Sequence, residues 1–191
     1  MKKSVFVLFT SMLVLASCTI GNGDVIRQER QVRGFNGISV EGVADVNIQP
    51  GEDYKVVVIT DENLQHRVLT ETRNNVLYIS IKSRKGFNST KLIVDVHLPE
   101  LQSLDLSGVG DVRIADGSAT DLAISLSGVG DINAQNYRIE NVFVKHSGVG
   151  DVKIWATHVL DGTLSGVGDI RYKGNPTVSV KVSGVGKVSE L

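Results

Sequence analysis

The sequence contains one cysteine, three prolines and few aromatic residues, and each scarcity excludes a class of protein. Because Cys18 is alone, the chain can form no internal disulfide and no cysteine-based metal cluster. Aromatic residues make up 5% of the 191 residues, too few for a base-stacking or sugar-stacking platform. The 20 Lys and Arg residues are balanced by 21 Asp and Glu residues, so we expect no nucleic-acid partner. Twenty glycines without a matching excess of proline indicate a β-rich fold with glycine at fixed turns.

Motifs typical of catalysis are missing as well. The four histidines are scattered, and the sequence has no Ser/His/Asp grouping, no phosphate-binding loop and no metal-ligand spacing. We therefore expect no enzyme activity, no cofactor and no metal site.

The first eighteen residues have the pattern of a secretory signal. Two lysines precede an apolar run from Val5 to Ala16, which is too short for a stable transmembrane helix. The run ends in Leu-Ala-Ser-Cys, which resembles a bacterial lipobox. We predict a signal peptide over residues 1–17 and lipid attachment at Cys18, so that the protein contacts the membrane through a lipid anchor.

The rest of the chain divides into a linker and one domain. Residues 18–33 are polar and include two glycines, which predicts a tether that holds the domain off the membrane. Residues 34–191 form the predicted domain. Thr19 follows the lipid-bearing cysteine in place of an acidic retention signal, so we expect an outer-membrane lipoprotein of the cell envelope.

A repeated pentapeptide is the strongest pattern after residue 33. Apolar and polar residues alternate beside every copy, as in Leu104-Asp105-Leu106, which is typical of strands with one buried face. A period of 18–20 residues predicts the coil of a β-solenoid, in which equivalent residues form columns about 4.8 Å apart. The alternative is an antiparallel meander or sandwich with a repeated hairpin. Ser-Gly-Val-Gly-Asp occupies 107–111, 127–131, 147–151 and 165–169, Ser-Gly-Val-Gly-Lys occupies 183–187, and an imperfect relative occupies 41–45.

Stacking of these copies predicts two charged columns on the surface. Aspartates at one position would repel each other, and basic side chains two residues later would offset that repulsion. We interpret the two columns as an ion-pair ladder and as candidate binding residues. Calcium binding, typical of other glycine- and aspartate-rich repeats, is disfavoured because the basic column would compete with the cation. The acidic column is Asp111, Asp131, Asp151 and Asp169, and the basic column is Arg113, Lys153 and Arg171.

Two further positions of the repeat are predicted to face the core. We expect the valine of each motif to turn inward as core, the alternative being an exposed apolar stripe that binds a partner. His146 occupies the position of Leu106 and Leu126 in its own unit, so we expect it to face inward and to be hydrogen-bonded.

Several segments in a fixed order resemble a known family. They are Arg33–Val40, Val43–Ile48, Leu77–Ile79, Leu98–Leu101 and the repeated Leu-Ser-Gly-x-Gly-Asp. Together they resemble the head GIN domain of putative auto-transporter adhesins, over residues 34–190. The resemblance implies an all-β, right-handed parallel β-helix in a bacterial envelope protein, and it assigns no catalytic residue.

The anchor, tether and repetitive surface together predict a role in binding or scaffolding. We expect a lipid-anchored envelope protein that adheres to a glycan or protein ligand, without catalysis. One alternative is a periplasm-facing structural or sensing lipoprotein, and a second is a carbohydrate-active β-helix enzyme. Repetition of the aspartates argues against the enzyme, because a catalytic site should be singular.

Overall fold

The computed structural model describes residues 19–83 and 87–191, which form strands and one short 3-10 helix. No helix in these two ranges is long and apolar enough to cross a membrane. The 3-10 helix spans Glu62–Arg67. The strands are β1 (Thr19–Ile20), β2 (Val25–Arg30), β3 (Gly37–Val40), β4 (Asp45–Pro50), β5 (Lys55–Asp61), β6 (Val68–Arg73), β7 (Val76–Ile81), β8 (Phe87–Asn88), β9 (Leu92–Leu98), β10 (Ser103–Leu106), β11 (Val112–Ile114), β12 (Gly117–Leu126), β13 (Ile132–His146), β14 (Val152–Leu164), β15 (Ile170–Lys173), β16 (Thr177–Val182) and β17 (Val188–Glu190).

Strands of the repeat region pair in parallel at matched register. Leu104 of β10 pairs with Ile124 of β12, which pairs with Val144 of β13, so each step advances twenty residues. From β14 to β16 the step is eighteen residues, as in the pairing of Leu164 with Val182. Alternate side chains of these strands point inward and build one continuous apolar core.

The part of the chain before the repeats pairs differently. β2 with β5, β5 with β9, and β6 with β7 are antiparallel. The β6–β7 hairpin turns at Asn74 and Asn75, whose φ angles of 50° and 60° suit a tight two-residue turn. Gln65 of the 3-10 helix ties this region together, because its side-chain amide donates to backbone carbonyls of β2 and β5.

The prediction of a right-handed parallel β-helix with 18–20-residue coils is wrong, although the fold is all-β. Fifteen strands of the described residues form one mixed sheet, and the strands at the two ends of its longest run of pairings, β2 and β6, both contact the same 3-10 helix, so the sheet is nearly closed and barrel-like. A solenoid has a separate short strand on each of its faces, whereas β12, β13 and β14 are long strands that continue from one face to the next. The antiparallel pairs also have no place in a parallel solenoid. The reason lies in the segments outside the pentapeptides, where the Asn74–Asn75 turn imposes a hairpin and β5 pairs antiparallel with β2 and β9. β3 and β4, which flank the imperfect copy at 41–45, pair in parallel with β10 and β11.

The two glycines of each pentapeptide are required by close contact between backbones. A Cβ added at Gly128 would collide with the carbonyl oxygen of Gly108, in the preceding copy of the motif. Gly130 faces the same obstacle at Gly110 and also has a φ of +143°, which side-chain-bearing residues rarely adopt. Glycine therefore allows neighbouring copies to approach to hydrogen-bonding distance, as in the 3.0 Å bond from the Val129 N–H to the Gly108 carbonyl.

The sheet begins inside the segment that the sequence assigned to a polar tether. Of residues 18–33, Thr19–Ile20 form β1 and Val25–Arg30 form β2, which pairs with β5 along six residues. The domain boundaries themselves, at residues 17, 33 and 191, stay predictions.

Candidate ligand-binding groove

The motif valines form a column on the surface, which corrects the expectation that they belong to the core. Each valine makes a parallel bridge to the valine of the next copy, from Val43 to Val185. Val109, Val129, Val149 and Val167 are each 47–48% exposed. The backbone turns at the flanking glycines, so the valine side chain points away from the core, whereas the residue directly before four of the motifs is buried: Leu106, Leu126, His146 and Leu164.

The aspartate column also lies at the surface, with a role that the sequence did not reveal. One carboxylate oxygen of each aspartate accepts a hydrogen bond from the backbone N–H at the equivalent position of the next copy. The five bonds run from Asp45 to Lys187 and measure 2.8–3.1 Å between Oδ1 and N. Because the carboxylate satisfies a backbone donor beside the glycine bend, the aspartates hold successive copies in register. The signal available in the sequence was the fixed place of Asp after the second glycine.

The predicted ion-pair ladder forms at two of its three basic positions. Arg113 lies 3.2 Å from Asp111, and Arg171 lies 3.1 Å from Asp169 and 3.6 Å from Asp151. Lys153 makes no ion pair within the described residues. The hydrogen bond from the Lys187 N–H, followed by that from Arg171, holds the pKa of Asp169 below its ordinary value. The Asp169 carboxylate is therefore charged and bound to protein groups at neutral pH, which is the opposite of a carboxylic acid poised to donate a proton.

His146 lies where the sequence placed it. Its ring is fully buried, and Nε2 donates to the carbonyl oxygen of Gly150 over 2.6 Å, which assigns the proton to that nitrogen. Nδ1 is buried with no hydrogen-bond partner in the described part of the chain. The residue belongs to the core between Leu126 and Leu164, not to a site.

A groove of about 650 Å³ crosses the outer face of the sheet from β7 to β14. Its floor is made of small outward-facing side chains on successive strands, because Ser103 pairs with Ala123 and Ser39 pairs with Asp105. Asp105 accepts a hydrogen bond of 3.3 Å from the Ser39 hydroxyl. The small residues leave backbone and hydroxyl groups within reach of a bound molecule. A volume of this size is typical of ligand sites.

Aromatic side chains stand at the two ends of the groove. Tyr78 of β7 lies at one end, with the Arg73 guanidinium 4.6 Å from the centre of its ring. Phe143 of β13 lies near the other end, one strand before Gly162 and Thr163 of β14, and is 47% exposed, beside Lys145. Four strand spacings separate β7 from β13, or about 19 Å. The groove therefore offers a long floor with polar groups between two aromatic walls. Sequence reasoning missed it, since its walls come from strands sixty residues apart.

Other predicted features lie elsewhere or outside the described residues. The signal peptide, residues 1–17, and Cys18 lie outside them. Within residues 19–83 and 87–191, no three His, Cys, Asp or Glu side chains cluster in a way that could hold a metal ion.

Comparison with known proteins identifies the family. A crystal structure of a putative adhesin from Bacteroides fragilis NCTC 9343 is 24% identical, covers 91% of this chain and 100% of its own, and superposes with a TM-score of 0.64. A putative lipid binding protein from Parabacteroides distasonis ATCC 8503 is 20% identical over 91% of this chain and 99% of its own, with a TM-score of 0.48. At this identity the first match shows the fold alone. A search of curated proteins found no match. The family model for the putative auto-transporter adhesin, head GIN domain, matches residues 34–116 and 103–176, so the chain belongs to that family.

Proposed function

We propose that this protein is a non-catalytic adhesin of the cell envelope that binds a glycan in the groove between Tyr78 and Phe143. The adhesin-type family indicates a binding role in an extracellular or envelope-associated protein. The observation that carries the proposal is the groove itself, with its exposed phenyl ring at one end and its polar floor.

The chemistry of the groove matches a sugar chain better than a compact apolar molecule. An exposed aromatic ring can pack against the apolar face of a sugar ring, as Phe143 offers. Asp105 accepts hydrogen bonds from hydroxyl groups, and the serines of the floor both donate and accept them. A length of about 19 Å leaves room for several linked sugars, and the open ends permit a continuous chain.

The absence of catalysis is part of this proposal. The motif aspartates are engaged by backbone N–H groups, and the pKa of Asp169 is lowered. A glycosidase requires two carboxyl groups on either side of the scissile bond, one of them held protonated. Asp105 and Glu41 line the groove, and Asp105 accepts a hydrogen bond from the Ser39 hydroxyl.

Attachment to the outer membrane completes the proposal. Lipid attachment at Cys18 would hold the protein in the envelope, with the groove available to ligands. Metabolic labelling with a radioactive fatty acid tests this step: the wild-type chain should incorporate label, and Cys18→Ser should not. Protease treatment of intact cells then distinguishes an outward-facing adhesin from a periplasm-facing lipoprotein.

The glycan-binding proposal is tested with a matched pair of variants. Immobilised envelope and host glycans are first screened with the purified protein, and the best ligand is then titrated by calorimetry. Phe143 and Val149 are equally exposed apolar residues, but only Phe143 lines the groove. Phe143→Ala should weaken binding about tenfold, corresponding to about 1.4 kcal/mol. Val149→Ala should leave it unchanged.

Three results would contradict this assignment. Equal loss of affinity in both variants would place the ligand elsewhere. Release of shortened sugars during the titration would indicate an enzyme. Binding of proteins but of no glycan would retain the adhesin and reject the ligand class.

A further inference from the structure

The chain is held in the fold from Thr19 onward. Thr19 and Ile20 pair in parallel with Phe87 and Asn88, and the Gly21 N–H donates to the Asn88 carbonyl over 2.8 Å. The first described residue is therefore already part of a two-stranded sheet.

A buried carboxylate fixes the residues that follow. One oxygen of Asp61 accepts hydrogen bonds from the Gly23 N–H, at 2.8 Å, and from the Thr90 hydroxyl, at 2.9 Å. The other oxygen accepts from the Thr90 N–H at 2.8 Å. A side chain at Gly21 would collide with this carboxylate. Asp61 thus joins the N-terminal segment to the β8–β9 connection.

Asn63 holds the same segment from the 3-10 helix. Its amide nitrogen donates to the Ile20 carbonyl over 2.9 Å, and its amide oxygen accepts from the Asn22 N–H over 3.2 Å. Beyond this point β2 continues into the main sheet. Every residue from 19 to 30 therefore lies within or between fixed elements.

This arrangement shortens the distance that could separate the domain from a lipid attached to Cys18. A free tether of sixteen residues could extend to about 50 Å. With Thr19 fixed, a single peptide unit of about 3.8 Å separates the attachment residue from the sheet. A lipid there would hold the domain close to the bilayer and restrict its orientation.

We propose that Cys18 mounts the domain directly on the membrane, with the β1–β8 side against the lipid headgroups and strands β16 and β17 at the outer end. The inference rests on the lipid attachment in the proposed function. On the β1–β8 side, Ile20 is 61% exposed and Lys91 is exposed. An apolar side chain next to a lysine suits the interface between headgroups and acyl chains.

The parallel columns fix which end points outward. Residues 89–91 line one shallow pocket together with Val43 and Ala44, at the first end of the valine column. Five strand spacings lead from Val43 to Val185, or about 24 Å. In the proposed orientation the β16–β17 end lies away from the membrane, by up to about that distance, and the groove lies between the two ends.

The proposal is tested on the acylated full chain in vesicles of phosphatidylcholine and phosphatidylglycerol. Acylation occupies the Cys18 thiol, so a cysteine introduced by Lys91→Cys or Ser179→Cys can be labelled alone with a fluorophore. A nitroxide on the lipid headgroup then quenches labels close to the bilayer. We expect at least threefold stronger quenching at position 91 than at position 179.

The control inserts ten Gly and Ser residues between Cys18 and Thr19, which should bring the two positions to similar quenching. Similar quenching without the insertion would overturn the mount. A Cys18→Ser chain reports on the anchor separately: if it binds vesicles as well as the wild type, the lipid attachment fails and the mount fails with it. Vesicle binding that requires Cys18, combined with equal quenching, overturns the mount and leaves the anchor intact.

Discussion

Replacing glycine by alanine can cost stability in two ways here: the new Cβ can collide with neighbouring backbone, or the residue can be held at a positive φ. Four glycines of this chain, two of them in the motif, provide every combination of these two costs. Gly51 has open space and an ordinary φ, whereas Gly34 has open space and a φ of +74°. Gly128 is obstructed by backbone at an ordinary φ, and Gly130 has both the obstruction and a φ of +143°.

The expected costs follow from the local geometry. Gly51→Ala should change the free energy of unfolding by less than about 1 kcal/mol, with stabilisation favoured. Gly34→Ala should cost about 1–2 kcal/mol, the penalty for a left-handed residue. Gly128→Ala must push apart two copies of the motif that are joined by backbone hydrogen bonds of 2.9 and 3.0 Å, at Gly128 and Val129. Loss of two or three such bonds costs about 3 kcal/mol, and Gly130→Ala should cost more.

Urea unfolding of the four purified variants, followed by circular dichroism, measures these differences. In a chain of this size, about 3 kcal/mol lowers the thermal midpoint by about 6–12 °C. If Gly128→Ala unfolds within about 0.5 kcal/mol of Gly51→Ala, close approach of the backbones is not what requires glycine in the motif, and the reasoning is refuted.

Three further predictions concern the core and the surface. His146→Leu removes a buried nitrogen without a partner but also the hydrogen bond to the Gly150 carbonyl, so it should change the free energy of unfolding by less than about 1 kcal/mol, and a loss of more than about 2 kcal/mol in urea would contradict this. Leu126→Ala should cost about 2–5 kcal/mol and Val129→Thr less than about 0.5 kcal/mol, and equal costs would show that the motif valines are core after all. Burial acts to raise the pKa of Asp61, but hydrogen bonds from Thr90 and Gly23 outweigh it and lower that pKa. Its contribution is therefore complete above the unfolded-state pKa of about 3.9 and is lost as pH falls through the lower folded-state value. The stability gap between wild type and Asp61→Asn should shrink in acid, and a constant gap from pH 7 to pH 2 would contradict this.

The repeat allowed the strands of residues 103–191 and their equivalent positions to be predicted from the sequence. Alternation beside each pentapeptide indicated strands, and the fixed motif indicated equivalent positions, which the structure joins by bridges between the valines. The order in which the strands pair in the whole sheet could not be predicted in the same way. Whether strands close into a mixed sheet depends on pairings between distant segments, such as β2 with β5 and β5 with β9, and local periodicity does not specify partners.

The surface was predicted less well than the strands, for two physical reasons. The direction of a side chain at a glycine bend depends on φ values that the sequence does not state, so the valines were assigned to the core. The aspartates were expected to pair with basic side chains, whereas their shared partner is a backbone N–H. The groove combines single residues from several strands, none of which is distinctive by itself.

A large side chain placed on the floor of the groove tests most directly whether the ligand binds there. Ala123 lies on the floor, and Ser179 lies in the same column of the sheet two strands beyond Phe143, outside the groove. Calorimetric titration of the screened glycan should show binding abolished in Ala123→Trp and retained in Ser179→Trp, with both variants folded by circular dichroism. Full affinity in Ala123→Trp would show that the groove is not the binding site.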